Sequence, residues 1–420
     1  MFTEVQIENY KSIQSLKIGL GRVNVFIGEN GCGKSNILEA IALAAAAAGN
    51  KLDNEFLAPR GIRVTEPEFM RSAFEGGNIA KEIKLKLKML KRLQIGDSEV
   101  VSNFALQNDN QPYSRWENIY GLDQFLEIGE SGDSRDEIEN KLDNLSNQKF
   151  RDIVVNHLQE QFEEMQQDFI GKINDSEIVK EKIYKIANDS LNEFIALKQN
   201  NSEIKNFLIY SPENSLLRTF AEEGQIQPLG NKGEGLLKLL KVLSNTPERI
   251  DEIKQKLELI DWFGDFKIHQ DSDIERTIQI KDRYLDKDLP YFNQRSSNEG
   301  FLFLMFYFAL FISDDTPKFF AIDNIENALN PKLCTRLIQE LVELAKKYDK
   351  QVIFTTHNPA ILDGLDLHDD EQRLFTIYRN IDGHTKAKRV YAPEPLDDDD
   401  PVPLSEAFMN GYIGGLPNNF

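Results

Sequence analysis

The sequence predicts an α/β fold with a mixed β-sheet core, on three observations. A strand-like run, Val23-Asn24-Val25-Phe26-Ile27, leads through a glycine-rich turn into a helix-like run from Ser35 to Ala48 that ends at Gly49. Much further along the chain, Phe319-Phe320-Ala321-Ile322-Asp323 is an apolar strand ending in a carboxylate. Pro331 then opens a helix with Leu333, Leu337, Leu341, Leu344 and Tyr348 on one face, and a third strand, Gln351 to Thr356, delivers His357. Ligands of doubly wound sheets bind at the C-terminal ends of such strands.

The glycine-rich turn, Gly28-Glu29-Asn30-Gly31-Cys32-Gly33-Lys34-Ser35, is a complete G-x-x-x-x-G-K-S phosphate loop in its required strand and helix context. Glycines let backbone N–H groups close around phosphates, and Lys34 reaches the terminal phosphates. The Ser35 hydroxyl ligates Mg²⁺, and the helix N-terminus adds favourable partial charge. The chain is therefore expected to bind a nucleoside triphosphate with Mg²⁺, and the loop alone leaves ATPases, GTPases, kinases and helicases open. A second metal contact is expected from Asp323, opposite Ser35.

The remaining elements follow in order. Glu4 to Ile13 alternates as a strand ending in a turn, and a second strand precedes the phosphate loop. Residues 79–90 and their surroundings give further strands, after which the pattern is polar and irregular to about residue 133. A capping box at Ser134-Arg135-Asp136-Glu137 opens a helical stretch to about Lys198, broken between Gly171 and Ser176, which reads as an antiparallel hairpin. Gln227 to Gly235 is a glycine-punctuated loop before a Leu-rich helix. An ordinary turn is the favoured reading there, with Lys232 approaching a phosphate as the other. Phe301 to Ile312 is apolar over twelve residues, short of the roughly twenty that span a bilayer, and reads as a buried helix. The tail carries Asp397 to Asp400 and a short amphipathic segment, Leu404 to Met409. It is read equally as a partner-docking element or as a tail folded back on its own domain.

Composition limits the function classes. The formal net charge is −20, so the chain lacks the basic balance of an autonomous, non-specific nucleic-acid binder. One basic stretch stands out, with Arg60, Arg63 and Arg71 followed by Lys81, Lys84, Lys86, Lys88, Lys91 and Arg92. Its alternation with Ile83, Leu85, Leu87 and Met89 favours a strand with a solvated basic face over a DNA track. Two cysteines, Cys32 and Cys334, have neither disulfide-framework nor metal-ligand spacing, and no export signal opens the sequence. A cytoplasmic, membrane-free protein is expected.

The order of motifs resembles the ABC-type ATPase head: phosphate loop, a Ser/Gly-containing segment (Ser296-Ser297-Asn298-Glu299-Gly300) before an apolar helix, a Walker B strand ending at Asp323, and a histidine switch at His357. Ile7-Glu8-Asn9-Tyr10-Lys11-Ser12 and the loop continuing to Asn36 resemble the soluble RecF, SMC and OLD-type branch, which includes AAA-domain ATPases of bacterial defence systems. The resemblance covers roughly residues 1–90 and 290–380. It implies a bilobed head with a helical insertion that binds ATP, and a homodimer in which Ser297 and Gly300 of one subunit close over the γ-phosphate of the ATP bound by the other. Two residues separate Ser297 from Gly300, where the family usually has one.

The domain layout expected is residues 1–95 and 291–385 as the two parts of the head, 96–290 as insertion and helical lobe with the hairpin at about 134–198, and 386–420 as acidic linker and tail. The family normally places Glu after the Walker B Asp, whereas this chain has Asn324. Asparagine orients water but cannot accept its proton. Glu326, or Glu299 of the partner subunit, is then a candidate for that role, and His357 for sensing the γ-phosphate. The expected function is a slowly hydrolysing dimeric ATPase switch that regulates a separate nuclease or toxin in anti-phage defence, since the OLD nucleases carry a fused C-terminal domain for which too little sequence follows His357. The alternative is a RecF-like DNA-repair ATPase that binds DNA directly. Assembly beyond a dimer is left open.

Overall fold

The computed structural model describes residues 1–74, 81–93, 96–111, 114–119, 201, 203–220, 228–268, 277–286, 288–289, 291–392 and 402–416. The hairpin expected over about 134–198, its capping box at Ser134 and the run Asp397 to Asp400 lie outside the described residues.

The opening alternation folds as an antiparallel pair, β1 (Phe2–Tyr10) and β2 (Ile13–Gly19), which turns at Lys11 with φ 45°. Val5, Ile7, Leu16 and Ile18 point inward from it, while Glu4, Gln6 and Glu8 face outward. β3 (Val23–Ile27) is buried throughout and runs into the phosphate loop and α1 (Lys34–Ala48). The alanines of α1 from Ala40 to Ala47 are all buried, as expected of a helix segment apolar all round.

β4 (Ile83–Leu93) pairs with β1 on one side and, along its whole length, with β5 (Gly96–Gln107) on the other; β6 (Glu117–Asn118) completes the sheet. This corrects the expectation of irregular chain after residue 90. The alternation of Val100, Phe104 and Leu106 toward the core is interrupted by a buried serine, Ser102, which hid the strand. A boundary at residue 95 would divide two fully paired strands, so the first sheet extends through β6.

After β7 (Ile209–Tyr210) come α2 (Leu236–Leu243), α3 (Pro247–Leu257), β8 (Phe263–Ile268), β9 (Ile278–Asp282), β10 (Phe292–Asn293) and α4 (Glu299–Ile312). Strands β8 to β10 form a small antiparallel sheet. α4 is buried on all sides from Phe301 to Ile312, and its N-terminus is capped by Asn298, whose Oδ1 accepts from Phe301 N at 2.8 Å. Its C-terminal end meets the buried Lys350, whose Nζ donates to Ser313 O at 2.7 Å and Thr316 O at 3.0 Å. Among the described residues no helix is long and apolar enough to cross a membrane.

The chain then enters β11 (Phe319–Ile322), α5 (Pro331–Lys347), β12 (Gln351–Thr356), β13 (Gln372–Arg379), β14 (Thr385–Val390) and α6 (Leu404–Met409). The second sheet has the order β14-β13-β3-β12-β11-β7; its neighbours are parallel except β13 and β14. Side chains alternate between its faces. Phe26, Ala321, Ile353 and Ile377 join α1 and the first sheet in one core; Val25, Phe320, Ile322 and Phe354 join α2 to α5 in the other. Two lobes therefore share one mostly parallel sheet, and the C-terminal ends of its parallel strands carry the phosphate loop, Asp323 and His357.

Candidate nucleotide-binding site

The phosphate loop is packed against the β13–β14 hairpin from behind. A Cβ at Gly28 would stand 2.1 Å from Ile377 O, and one at Gly33, where φ is 107°, would stand 2.1 Å from Thr385 Oγ1. No side chain fits at either position. Arg379 Nε donates to Gly31 O at 2.8 Å, and Thr385 Oγ1 donates to Cys32 O at 2.8 Å. Asn36 Nδ2 donates to Ser12 Oγ at 2.6 Å, and Ser12 Oγ lies 2.6 Å from Thr385 Oγ1, so the hydroxyls form a relay that ends on the loop carbonyl. Asn36 therefore braces the loop. Arg379 and Thr385 are missed by sequence reasoning, because the motif carries no trace of residues some 350 positions away.

No side chain caps α1, so the loop and the first turn of the helix present backbone N–H groups to an anion. Lys34 Nζ donates to Gly28 O at 2.7 Å and Glu29 O at 3.1 Å. Burial pushes its pKa down, opposed by Cys32, Asp323 and Glu326. Glu29 is half-buried and Asn30 and Gly31 are exposed at the rim, while Cys32 is buried beneath the loop.

The strand ends bring the acidic groups to the same edge. Ser35 Oγ donates to Asp323 Oδ2 at 3.3 Å. Thr355 Oγ1 hydrogen-bonds the other Asp323 oxygen and accepts from Asn324 N at 2.9 Å. Thr355 is a third residue that sequence reasoning misses: in a strand run it looks like any β-branched residue. Asn324 holds a left-handed φ of 55°, a conformation asparagine tolerates better than most residues. Glu326 Oε1 accepts from His357 N at 2.8 Å, and its Oε2 is buried without a hydrogen-bond partner. Partial burial on one side, followed by the charge of Lys34, lowers the His357 pKa against the pull of Glu326 and Asp323; the residue keeps an open face.

Lys34, Ser35, Asp323, Glu326 and His357 thus converge, but Ser297 and Gly300 stand elsewhere. Ser297 is buried, with Oγ lacking a hydrogen-bond partner, and the exposed serine of that segment is Ser296. Gly300 packs on the loop after Asp323: a Cβ there would stand 3.0 Å from Ala328 O and 3.3 Å from Leu329 Cδ2. Glu299, half-buried, sits in the first turn of α4.

Beside the phosphate loop opens a cavity of about 440 Å³, lined among others by Lys11, Asn36, Arg63, Phe69, Phe74 and Arg379. Buried Glu39 holds Lys11 and Arg63 on its wall. The basic stretch noted in the sequence is otherwise dispersed. Arg60 is buried and donates to Lys205 O at 2.8 Å; Arg71 is buried and donates to Lys81 O at 2.9 Å. On the outer face of the first sheet Lys17 pairs with Glu4 at 2.8 Å, Lys88 pairs with Glu99 at 3.0 Å, and Lys84 lies opposite Glu8. That face is mixed in charge. Lys232 likewise pairs with Glu213, at 2.9 Å.

A phosphate loop on the central strand, an aspartate at the end of β11, a histidine at the end of the strand between them, and a second lobe built around a capped apolar helix define a P-loop ATPase of the ABC type, similar to RecF and SMC heads. The chain belongs to the family described as "AAA domain, putative AbiEii toxin, Type IV TA system", whose model matches residues 23–363. Over 54 residues it is 41% identical to the DNA replication and repair protein RecF of Bacillus mycoides (strain KBAB4), and 39% identical to that of Bacillus thuringiensis (strain Al Hakam). Each match covers 13% of this chain and 14% of the relative, so the chain spans only a small part of those proteins. Among solved structures, an SMC head bound to the C-winged helix domain of ScpA aligns with 93% of this chain and 98% of its own, with a TM-score of 0.52 and 14% identity. That likeness is one of fold.

Proposed function

We propose that the protein binds ATP with Mg²⁺ and works as a slowly hydrolysing dimeric switch for a separate effector, such as a nuclease or toxin, in anti-phage defence. The observation that carries the reading is the meeting of Ser35 and Asp323 at 3.3 Å, with Glu326 and His357 on the same edge. A hydroxyl and a carboxylate so placed fit a Mg²⁺ that keeps several waters and takes its remaining ligands from phosphate oxygens. The uncapped N-terminus of α1 fits the phosphates. Bound Mg²⁺ supplies charge neutralisation for the β- and γ-phosphate oxygens.

Glu29, Asn30, Gly31, Cys32 and Gly33 contribute the loop backbone, and Lys34 leaves its loop carbonyls for phosphate oxygens. Asn324 orients water without taking its proton. Glu326 is the nearby carboxylate able to accept that proton, and His357, largely neutral at pH 7, senses the γ-phosphate. Gly300 and the N-terminus of α4 complete the site on the partner subunit, with Ser297 contributing after a rotation that releases its hydroxyl. The head comprises the two large sheets, and the segment between β6 and β7 is the insertion.

The defence role rests on membership of a family described as a toxin-related AAA domain. The short RecF match favours a second reading, a DNA-maintenance ATPase, against which the mixed charge of the outer sheet face counts. Purification of the native complex, with mass identification of what accompanies it, distinguishes the two. A protein partner bearing nuclease motifs supports the switch, and stoichiometric DNA without a protein partner contradicts it.

A further inference from the structure

The tail resolves one question the sequence left open: residues 402–416 fold back on the head. Ala407 and Phe408 of α6 are buried, and Phe408 joins the core around α4 and α5. Ser405 N donates to Asp363 Oδ1 at 2.9 Å, and Thr376 Oγ1, on β13, donates to Ile413 O at 3.0 Å. The chain then turns through Gly414 and Gly415, both left-handed at φ 75° and 87°. A Cβ on Gly415 would stand 2.4 Å from Thr376 Cγ2, 3.3 Å from Phe408 Cε2 and 3.5 Å from Gly28 Cα. The Gly415 turn thus lies so near the first glycine of the phosphate loop that one added carbon would touch it.

Gly28 is held on two sides. Ile377 O excludes a side chain from it, and Gly415 leaves room for no more than one carbon beside its Cα. Its carbonyl is also the 2.7 Å acceptor of Lys34 Nζ, the group that must turn toward the phosphates when nucleotide enters. Lys34 and Gly415 thus meet the same glycine, one at its carbonyl and the other on the side of its Cα.

We propose that residues 403–416 form a strap whose seat behind Gly28 is coupled to nucleotide occupancy, with Gly415 as the positioning residue. The proposal rests on the ATP-binding reading and adds to it the regulation of that site. Coupling is reciprocal: a seated strap favours the nucleotide-competent loop, and bound nucleotide favours the seated strap. Anything that draws the strap away lowers affinity without touching a ligand-contacting residue.

The test compares two glycines with the same backbone requirement and different neighbours. Gly414 has the same left-handed strain, yet a Cβ there meets nothing closer than 4.0 Å. The full chain is titrated with ATP and Mg²⁺ as wild type, Gly415→Ala and Gly414→Ala, and hydrogen exchange of amides 404–416 is followed in the wild type with and without ATP. Gly415→Ala is expected to weaken binding about tenfold more than Gly414→Ala, and ATP is expected to slow exchange in the strap. Equal affinities for the two variants, or strap exchange indifferent to ATP, overturn the strap while leaving ATP binding intact. A wild-type chain that binds no ATP overturns both.

Discussion

Ser35 and Asp323 are 288 positions apart in the chain and 3.3 Å apart in the fold. The parallel order β3-β12-β11 places the end of β11 one strand away from the phosphate loop, and the Thr355 hydroxyl of the intervening strand fixes the carboxylate. The arrangement holds a hydroxyl and a carboxylate together at the mouth of the phosphate loop.

Ser35→Ala and Asp323→Asn each remove one of the two protein groups to which the proposed function assigns Mg²⁺. In ATP titrations with and without Mg²⁺, each variant is expected to lose on the order of tenfold or more of the metal-dependent affinity. Affinity measured in chelator should barely change. Wild-type Mg²⁺ dependence in both variants would show that these two groups do not hold the metal.

Steady-state phosphate release addresses the carboxylates. Glu326→Gln keeps a hydrogen-bond acceptor for His357 N and removes the proton acceptor, so turnover is expected to fall on the order of 100-fold. Asn324→Glu restores a carboxylate next to Asp323 and is expected to raise turnover above wild type. Fast wild-type turnover that survives Glu326→Gln unchanged excludes Glu326 as the base.

The imidazole of His357 offers a pH test. Its pKa lies below the ordinary value of 6.5, because partial burial and then the Lys34 charge disfavour the imidazolium. Between the folded and unfolded values the unfolded chain binds more protons, so this group's contribution makes stability fall as pH drops through about 6.5. NMR titration of the His357 ring is expected to show a midpoint below that value, moving upward in Lys34→Ala. A midpoint at or above the ordinary value, indifferent to Lys34, contradicts the assigned geometry.

The mixed charge of the outer sheet face predicts little from its lysines. Lys84→Ala combined with Lys86→Ala is expected to leave any DNA retention, and its salt dependence, within about twofold of wild type. A track that used both would lose about two units of the log–log salt slope. Such a loss would favour the DNA-maintenance reading.

Local signals made half of the site legible. The phosphate loop, the apolar strand before Asp323, the Pro331 start of α5 and the strand before His357 each carry their pattern within a few residues, and their bounds match closely. Thr355, Arg379, Thr385 and Gly415 were not legible, because their roles arise from parallel register, a distant hairpin and a returning tail. Ser297 shows the converse limit: its place before an apolar helix suggested a ligand-facing hydroxyl, and the fold turns that hydroxyl inward. Arg60 and Arg71 look like surface charge in a list of basic residues, yet both are spent on buried carbonyls.

The central claim, that this is one half of a nucleotide site completed by a second copy, is tested most directly by the molar mass of the purified chain from sedimentation with and without ATP and Mg²⁺. The mass is expected to double on addition of ATP and Mg²⁺, and to remain that of one chain in Lys34→Ala under the same conditions. A wild-type mass that ATP leaves unchanged, at concentrations shown by titration to saturate the site, would contradict it.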